Sequence, residues 1–332
     1  MNIGITFDSI EEYLRAGVSR ETAAEFDREE TIEAIATALR DLGHTPDIIG
    51  NIRSLVKRLA TGDRGDLVFN IAEGLKGFGR EAQVPALLDA YDIPYTFSDP
   101  LALAITLHKG MAKHVIRDLG ISTPDFAVVH TPDDAKHVHL IRPLFVKPVA
   151  EGTSKGVTPA SRVNDTRALV ARCARIITSF GQPALVETYL PGREFTAGIL
   201  GTGDKAFCFG VLEVLVHDKA DRGIYTFKSK ERYLERVTYR VAGDDASRGA
   251  AVIALQAWRG LGCRDAGRVD VREDGAGNPN IIDINPLAGL HPVHSDLSIL
   301  AAKTGMSYRN LIAVILESAL ERVHRPATAA AS

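Results

Sequence analysis

The chain has 332 residues, 45% of them hydrophobic, 24% charged and 6% aromatic, and 39 basic against 42 acidic residues leave a net charge of −3. That length suits about two domains, the even charge excludes the basic footprint of a nucleic-acid binder, and no apolar run approaches the roughly 18 residues that span a bilayer. Three scattered cysteines, Cys173, Cys208 and Cys263, exclude a disulfide framework, and Met1–Ile5 lacks a basic, signal-like character, so a soluble cytoplasmic protein is expected, with neither nucleic acid nor membrane as partner.

Asn2–Phe7 predicts a first strand, and Glu29–Leu42 carries Ile32, Ile35, Ala36 and Leu39 at helical spacing before Gly43 stops it. A strand over Thr45–Ile49, a helix over Ile52–Leu59, a strand over Asp66–Asn70 and a helix over Glu81–Tyr91 follow. Strands alternating with helices predict βαβ units, that is, a Rossmann-like parallel-sheet α/β domain over residues 1–108. Its site is expected beyond the carboxyl ends of the strands, where the loop Ile71–Arg80 falls. A central unit, 109–191, opens with a helix over Lys109–Leu119 and continues with a strand at Leu144–Pro148, a helix at Asp165–Phe180 and a strand at Ala184–Glu187. The last unit, 192–325, is of α+β character. It has strands at Glu194–Leu200, Phe207–Val216, Gly267–Val271 and Ile281–Ile284, and helices at Ser247–Leu261 and Tyr308–Val323. The polar stretch Asp218–Tyr239 is expected to form a long mobile loop, and 326–332 a flexible tail.

Chemistry concentrates in three places. Gly267–Val271 and Ile281–Pro286 read as two strands of a hairpin closed by Asp274–Asn278. Alternation puts Arg268 and Asp270 on one face of the first strand, and Asp283 and Asn285 on one face of the second. Pairing would assemble two carboxylates and an amide oxygen, hard ligands suited to Mg²⁺ that keeps waters and phosphate oxygens; a solvated face of surface ion pairs is the bland alternative. Lys147, at the end of an apolar strand, precedes Glu151-Gly152-Thr153-Ser154-Lys155-Gly156, whose backbone N–H groups and hydroxyls suit phosphate oxygens, or form a simple turn. Glu187 ends a strand that turns through Pro191-Gly192 to Glu194, positions able to read a base edge and ribose hydroxyls, or simply exposed acids.

In order and spacing these segments resemble the ATP-grasp carboxylate–amine ligases, and among them the D-alanine–D-alanine ligase family, over about residues 66 to 324. The resemblance rests on Ile93-Pro94-Tyr95-Thr96 before Lys109 and Lys113, on Val146-Lys147-Pro148 with Glu151–Ser154, and on Glu187 with Glu194-Phe195-Thr196. It rests further on Gly262-Cys263, Gly267–Val271, Asp283-Ile284-Asn285 and Gly289. It implies an ATP-grasp fold and an ATP-dependent ligase working through an acyl phosphate. By the same resemblance Lys109 and Lys147 contact ATP phosphates, and the loop with Glu151, Thr153 and Ser154 closes over them. Glu187 and Leu190 lie by the adenine and Glu194 by the ribose. Asp270, Asp283 and Asn285 hold two Mg²⁺ ions (or Mn²⁺), and Arg268 faces the transferred phosphate with Ser154 and Lys230 as further catalytic groups. A homodimer acting on small amino-acid or peptide substrates is expected.

The amino-acid positions depart from the family. Its glycine-rich first loop, whose Ser and Glu hold the first ammonium, is replaced by Asp8–Tyr13 and an insert to Arg28. The segment between Asn70-Ile71 and Gly79-Arg80-Glu81-Ala82 departs as well. The lid's Lys-Tyr pair becomes Lys230-Glu231, and the acceptor Ser-Leu becomes His294-Ser295 after Gly289. Asp27, Arg80, Glu81, Gly289, His294 and Ser295 are therefore the expected substrate residues, for a substrate pair other than two D-alanines. A conventional cell-wall D-alanine–D-alanine ligase is the alternative, as is a nucleotide-binding regulator without turnover, against which the full polar set counts. His137 and His139 read as an exposed strand face, and Cys263 as a small buried apolar residue.

Overall fold

The computed structural model describes residues 1–216 and 237–323. In the first unit β1 (Asn2–Thr6) lies between β2 (Thr45–Gly50) and β3 (Leu67–Asn70), both parallel to it. Ile3 and Ile5 on β1 are fully buried, as a central parallel strand covered on both faces requires. Helices α1 (Ile10–Arg15), α2 (Glu29–Asp41), α3 (Ile52–Ala60), α4 (Gln83–Ala90) and α5 (Pro100–Leu107) complete the unit. Two of these were not read from the sequence although their caps are present: Ser9 Oγ accepts the Glu12 N–H for α1, and Asp99 accepts from Ala102 with Pro100 at the first position of α5.

The central unit runs from α6 (Lys109–Asp118) to a four-stranded antiparallel sheet, ordered β4 (Phe126–Val129), β7 (Ala184–Thr188), β5 (Leu144–Pro148), β6 (Arg162–Val163), backed by α7 (Thr166–Phe180). The edge strand β4 was unread, and His137 lies on a 3₁₀ turn over Asp134–His137, not on a strand. The third unit is a five-stranded antiparallel sheet ordered β10 (Val237–Val241), β9 (Phe207–Val216), β8 (Glu194–Leu200), β11 (Ala266–Glu273), β12 (Pro279–Asn285). It packs against α8 (Asp245–Gly260), α9 (Asp296–Lys303) and α10 (Tyr308–Val323). β10 takes the last residues of the stretch expected to be loop, because Val237 and Tyr239 bury one face against β9. The rest of that stretch, Lys230 included, and residues 324–332 lie outside the described residues. Among the described residues no helix is long and apolar enough to cross a membrane.

The first and third units share one core, and the central unit has its own around Val146, Leu169 and Val186. Leu311, Ile312, Ile315 and Leu316 of α10 join Ile32, Ile35 and Leu39 of α2 and Ile3 and Ile5 of β1 in a single apolar cluster. Asp265, fully buried, ties the same parts by polar contacts. Its carboxylate accepts from Phe97 N at 2.7 Å, Ser318 Oγ at 2.8 Å, Thr202 Oγ1 at 3.1 Å and the Arg322 guanidinium. Asp265→Ala would leave the buried Phe97 N–H without its acceptor and the part-exposed Arg322 without its counter-charge, so a loss of about 1–3 kcal/mol in unfolding free energy is expected by urea titration. A loss below about 1 kcal/mol would contradict this reading of the junction.

Candidate active site

The geometry begins with strand register. β11 and β12 pair so that Arg268 stands opposite Asn285 and Asp270 opposite Asp283. Alternation then turns all four side chains to one face, as the hairpin reading expects. Gly267, one residue before, has no room for a side chain: a Cβ would stand 2.5 Å from the Asn285 carbonyl oxygen and 2.6 Å from the Trp258 ring. The lack of a side chain there lets α8 press the hairpin flat. On the polar face Asp270 accepts from Thr196 Oγ1 at 3.0 Å and from Asn285 Nδ2 at 3.4 Å, and pairs with the Arg268 guanidinium. Arg268 Nε also lies 3.6 Å from Asp296, and Lys109 Nζ, from the first turn of α6, lies 3.1 Å from Asp283 Oδ2.

Across a cleft stands the sheet of the central unit. Lys147, on β5, donates to the Ile282 carbonyl at 3.3 Å and pairs with Glu187 of β7 at 2.9 Å. Glu187 is only 3% exposed and pairs also with Lys113 at 2.5 Å. Burial pushes its carboxyl up, but the two lysines outweigh burial and hold it at about 2. Burial lowers Lys113 to about 8, whereas Lys147, facing Asp283 and Asp270 as well as Glu187, is held above the ordinary lysine range. The Glu187 carboxylate is thus engaged by two lysines and lines the cleft. Leu190 and Glu194 line the same cleft, and Arg272 donates to Glu194 Oε2 at 2.9 Å.

The loop after β5 carries two non-glycine residues in the left-handed region, Thr153 at φ 49° and Ser154 at φ 53°. Such backbone persists only where its surroundings over-determine it. Here they do: Lys155 pairs with Glu151 at 2.5 Å and with Glu25 at 3.1 Å, and Glu25 also accepts from the Gly152 N–H. Arg80 completes the brace, donating to Glu25 at 3.0 Å and to the Ala150 carbonyl at 2.9 Å. Arg80 therefore stands behind the wall and not on it. Glu25, Lys155 and Lys113 were given no role from the sequence. Glu25 sits in the insert, and nothing local marks it except an acid between Ala23-Ala24 and Phe26.

A second cavity of about 720 Å³ adjoins the β11–β12 hairpin. Asp27, Glu81, Gly289, His294 and Ser295 line it, together with Glu73, another acid without a role read from the sequence. Ser295 Oγ accepts the His291 N–H at 2.9 Å, and the His291 and His294 rings stack at 4.4 Å. Burial, then the neighbouring Asp8, raises Asp27 to about 7. Burial and nearby Glu25 raise Glu81 to about 7 against the pull of Arg80, and burial with Glu81 and Glu25 raises Glu73 well above the carboxylate range.

A family model described as D-ala D-ala ligase C-terminus matches residues 115–317. The chain belongs to the D-alanine–D-alanine ligase family. The D-alanine–D-alanine ligase of Gluconobacter oxydans is 34% identical over 303 residues, 87% of this chain and 93% of its own length. That of Bordetella avium is 32% identical over 258 residues, 76% and 78% respectively. An uncharacterized protein, y4sG, of Sinorhizobium fredii is 30% identical over 305 residues, 87% of either chain. The fold is that of the crystal structure of D-alanine–D-alanine ligase from Bacillus anthracis complexed with ATP, with a TM-score of 0.72 and 20% identity over 97% of this chain and 98% of the other. Family and fold together make this chain an ATP-dependent carbon–nitrogen ligase of ATP-grasp architecture, as the resemblance implied.

A carboxyl whose folded value is raised favours folding while protonated, and loses that contribution as pH rises through the folded value. Glu81, raised to about 7, should therefore weaken the fold between about pH 5 and about pH 8. In thermal melts the Tm of Glu81→Gln should gain on that of the parent across this range. A Tm difference that does not change with pH would contradict the assigned environment.

Proposed function

We propose that the chain phosphorylates the carboxylate of one amino acid with ATP and passes the acyl group to the amine of a second. The γ-phosphoryl group moves to a carboxylate oxygen, ADP departs, the amine attacks the acyl carbon, and phosphate leaves as the amide forms and the amine loses a proton. The observation that carries this reading is that Lys109, Lys147, Asp270, Asp283 and Arg268 line one cleft, with Asn285 beside them opposite Arg268. Lys109 and Lys147 supply charge to phosphate oxygens, and the Glu151–Gly156 loop, with Thr153 and Ser154, covers them. Leu190 flanks the base, and Glu194 accepts from ribose hydroxyls. Arg268 meets the developing charge on the transferred group.

The donor set suits Mg²⁺: two carboxylates and an amide oxygen are hard ligands, too few to cage an ion alone and matched to one that keeps waters and phosphate oxygens. Asp270, Asp283 and Asn285 would hold it, and when bound it supplies charge neutralisation to the phosphates. Lys109 and Arg268, now paired with these acids, then turn to the nucleotide.

For the substrate pair, D-alanine in both places is the reading supported by relatives named D-alanine–D-alanine ligase at 32% and 34% identity. It stands ahead of the changed pair expected from the departures in sequence. One observation favours a second reading with the same chemistry: the acids of the adjoining cavity, above all Glu81, which holds no ion pair among the described residues.

Two outcomes follow. With ATP, Mg²⁺ and a panel of amino acids including D-alanine, amide product should form with one phosphate released for each bond, and hydroxylamine should trap the acyl phosphate as a hydroxamate. ATP turnover with neither amide nor hydroxamate would overturn the ligase reading. Lys147→Ala should leave a folded protein, since Lys113 still pairs with Glu187, and should weaken ATP binding by about 1.5–3 kcal/mol by calorimetry. Unchanged affinity would remove Lys147 from the phosphate site.

A further inference from the structure

The cavity beside the hairpin holds more carboxyl groups than its own cations answer. Glu25 is matched by Arg80 and Lys155, Asp283 by Lys109, and Asp296 by Arg268. Three wall carboxylates remain, Asp27, Glu73 and Glu81, and none has a side-chain hydrogen bond or ion pair among the described residues. Arg20 and Arg28 lie on the same wall but are solvent-exposed and pair with none of the three.

Glu81 is the sharpest of these. It is 9% exposed, at the entrance to α4, and what it shows faces the cavity. A carboxylate so placed loses its hydration without gaining a partner, which is costly unless a ligand supplies one. The neighbours aggravate this: Glu73 is disfavoured as an anion by Glu81, by Glu25 and by Asp27, so the acids sense one another across the space. No three Asp, Glu, His or Cys side chains among the described residues are grouped as a metal set. The acids are instead spread along a wall, which suits an extended organic cation better than a bare ion.

We infer that the amino acid seated in this cavity is a diamino acid, whose side-chain ammonium is received by Glu81 and Glu73 while its α-ammonium meets Asp27. The inference rests on the ligase reading above and deepens it. One α-ammonium answers one carboxylate; a second cation is what the remaining wall recognises. A neutral side chain of the same length would leave the buried Glu81 and the half-buried Glu73 unmatched, the situation in which a polar pocket discriminates most strongly.

The test compares ornithine and lysine with their neutral counterparts norvaline and norleucine, in D and L forms, each offered alone and paired with D-alanine to the full chain with ATP and Mg²⁺. Phosphate release and product mass are read. The best diamino acid should exceed its neutral counterpart and D-alanine at least tenfold in kcat/KM. Glu81→Gln and Glu73→Gln should each cut that ratio about tenfold, mainly through KM. The inference is overturned if D-alanine or a neutral counterpart is the better substrate, or if both variants leave the ratio unchanged. In either case the ligase reading stands, because amide still forms. If no pair yields amide, the ligase reading falls, and calorimetry with ornithine against norvaline in the presence of ADP and Mg²⁺ decides the cavity separately. Ornithine binding at least tenfold tighter supports the cation site, and equal affinities remove it.

Discussion

The register of β11 against β12 is the constraint on which the site depends. Because Asp270 stands opposite Asp283 and Arg268 opposite Asn285, one face of one hairpin carries the whole polar set. A slip of one residue would turn that face into the core and bring Val269 and Ile284 into the cleft. The packing forbids it: Val269, Val271, Ile281 and Ile284 are held in the cluster around Trp258, and Gly267 leaves no gap between that ring and the partner strand. Core packing on one face therefore fixes chemistry on the other.

The second organising feature is charge balance across the cleft. Three lysines and an arginine, Lys109, Lys113, Lys147 and Arg268, meet Asp270, Asp283 and Glu187 with short contacts and little solvent. Such pairs are poor sources of stability, since desolvation offsets most of their attraction. Their worth is positional: the cations are already held where a polyphosphate is proposed to lie, which lowers the reorganisation that binding demands. Glu25 extends this to the substrate side. By holding Arg80, Lys155 and the Gly152 N–H at once, it links the insert of the first unit to the loop after β5. The insert and the loop proposed to cover the phosphates thus share one brace.

Much of this was legible in the chain, and the reason is periodicity. Alternation alone put Arg268 with Asp270 and Asp283 with Asn285, and a turn-rich pentapeptide told that the two strands pair. The parallel first sheet was equally readable, because buried strands and amphipathic helices have distinct periods. What was not legible depends on distance in sequence. Glu25 and Gly152 are 127 positions apart, and no local pattern says that an acid in an insert will brace a loop in another unit. The ion pairs of Glu187 were not legible for the same reason: its two lysines come from α6 and β5, and only the assembled sheet brings both to it. The short helices α1 and α5 were missed although Ser9 and Asp99-Pro100 announce them, since their apolar faces are too short for a period to emerge.

The central claim, that one hairpin face and the facing lysines form a metal-nucleotide site, is most directly tested by a crystal structure with an ATP analogue and Mn²⁺ in place of Mg²⁺. Anomalous peaks are predicted within about 2–2.3 Å of oxygens of Asp270, Asp283 and Asn285, bridging to phosphate oxygens that also contact Lys109 and Lys147. Metal ions bound elsewhere, or nucleotide outside the cleft with the Lys109–Asp283 pair intact, would contradict the account.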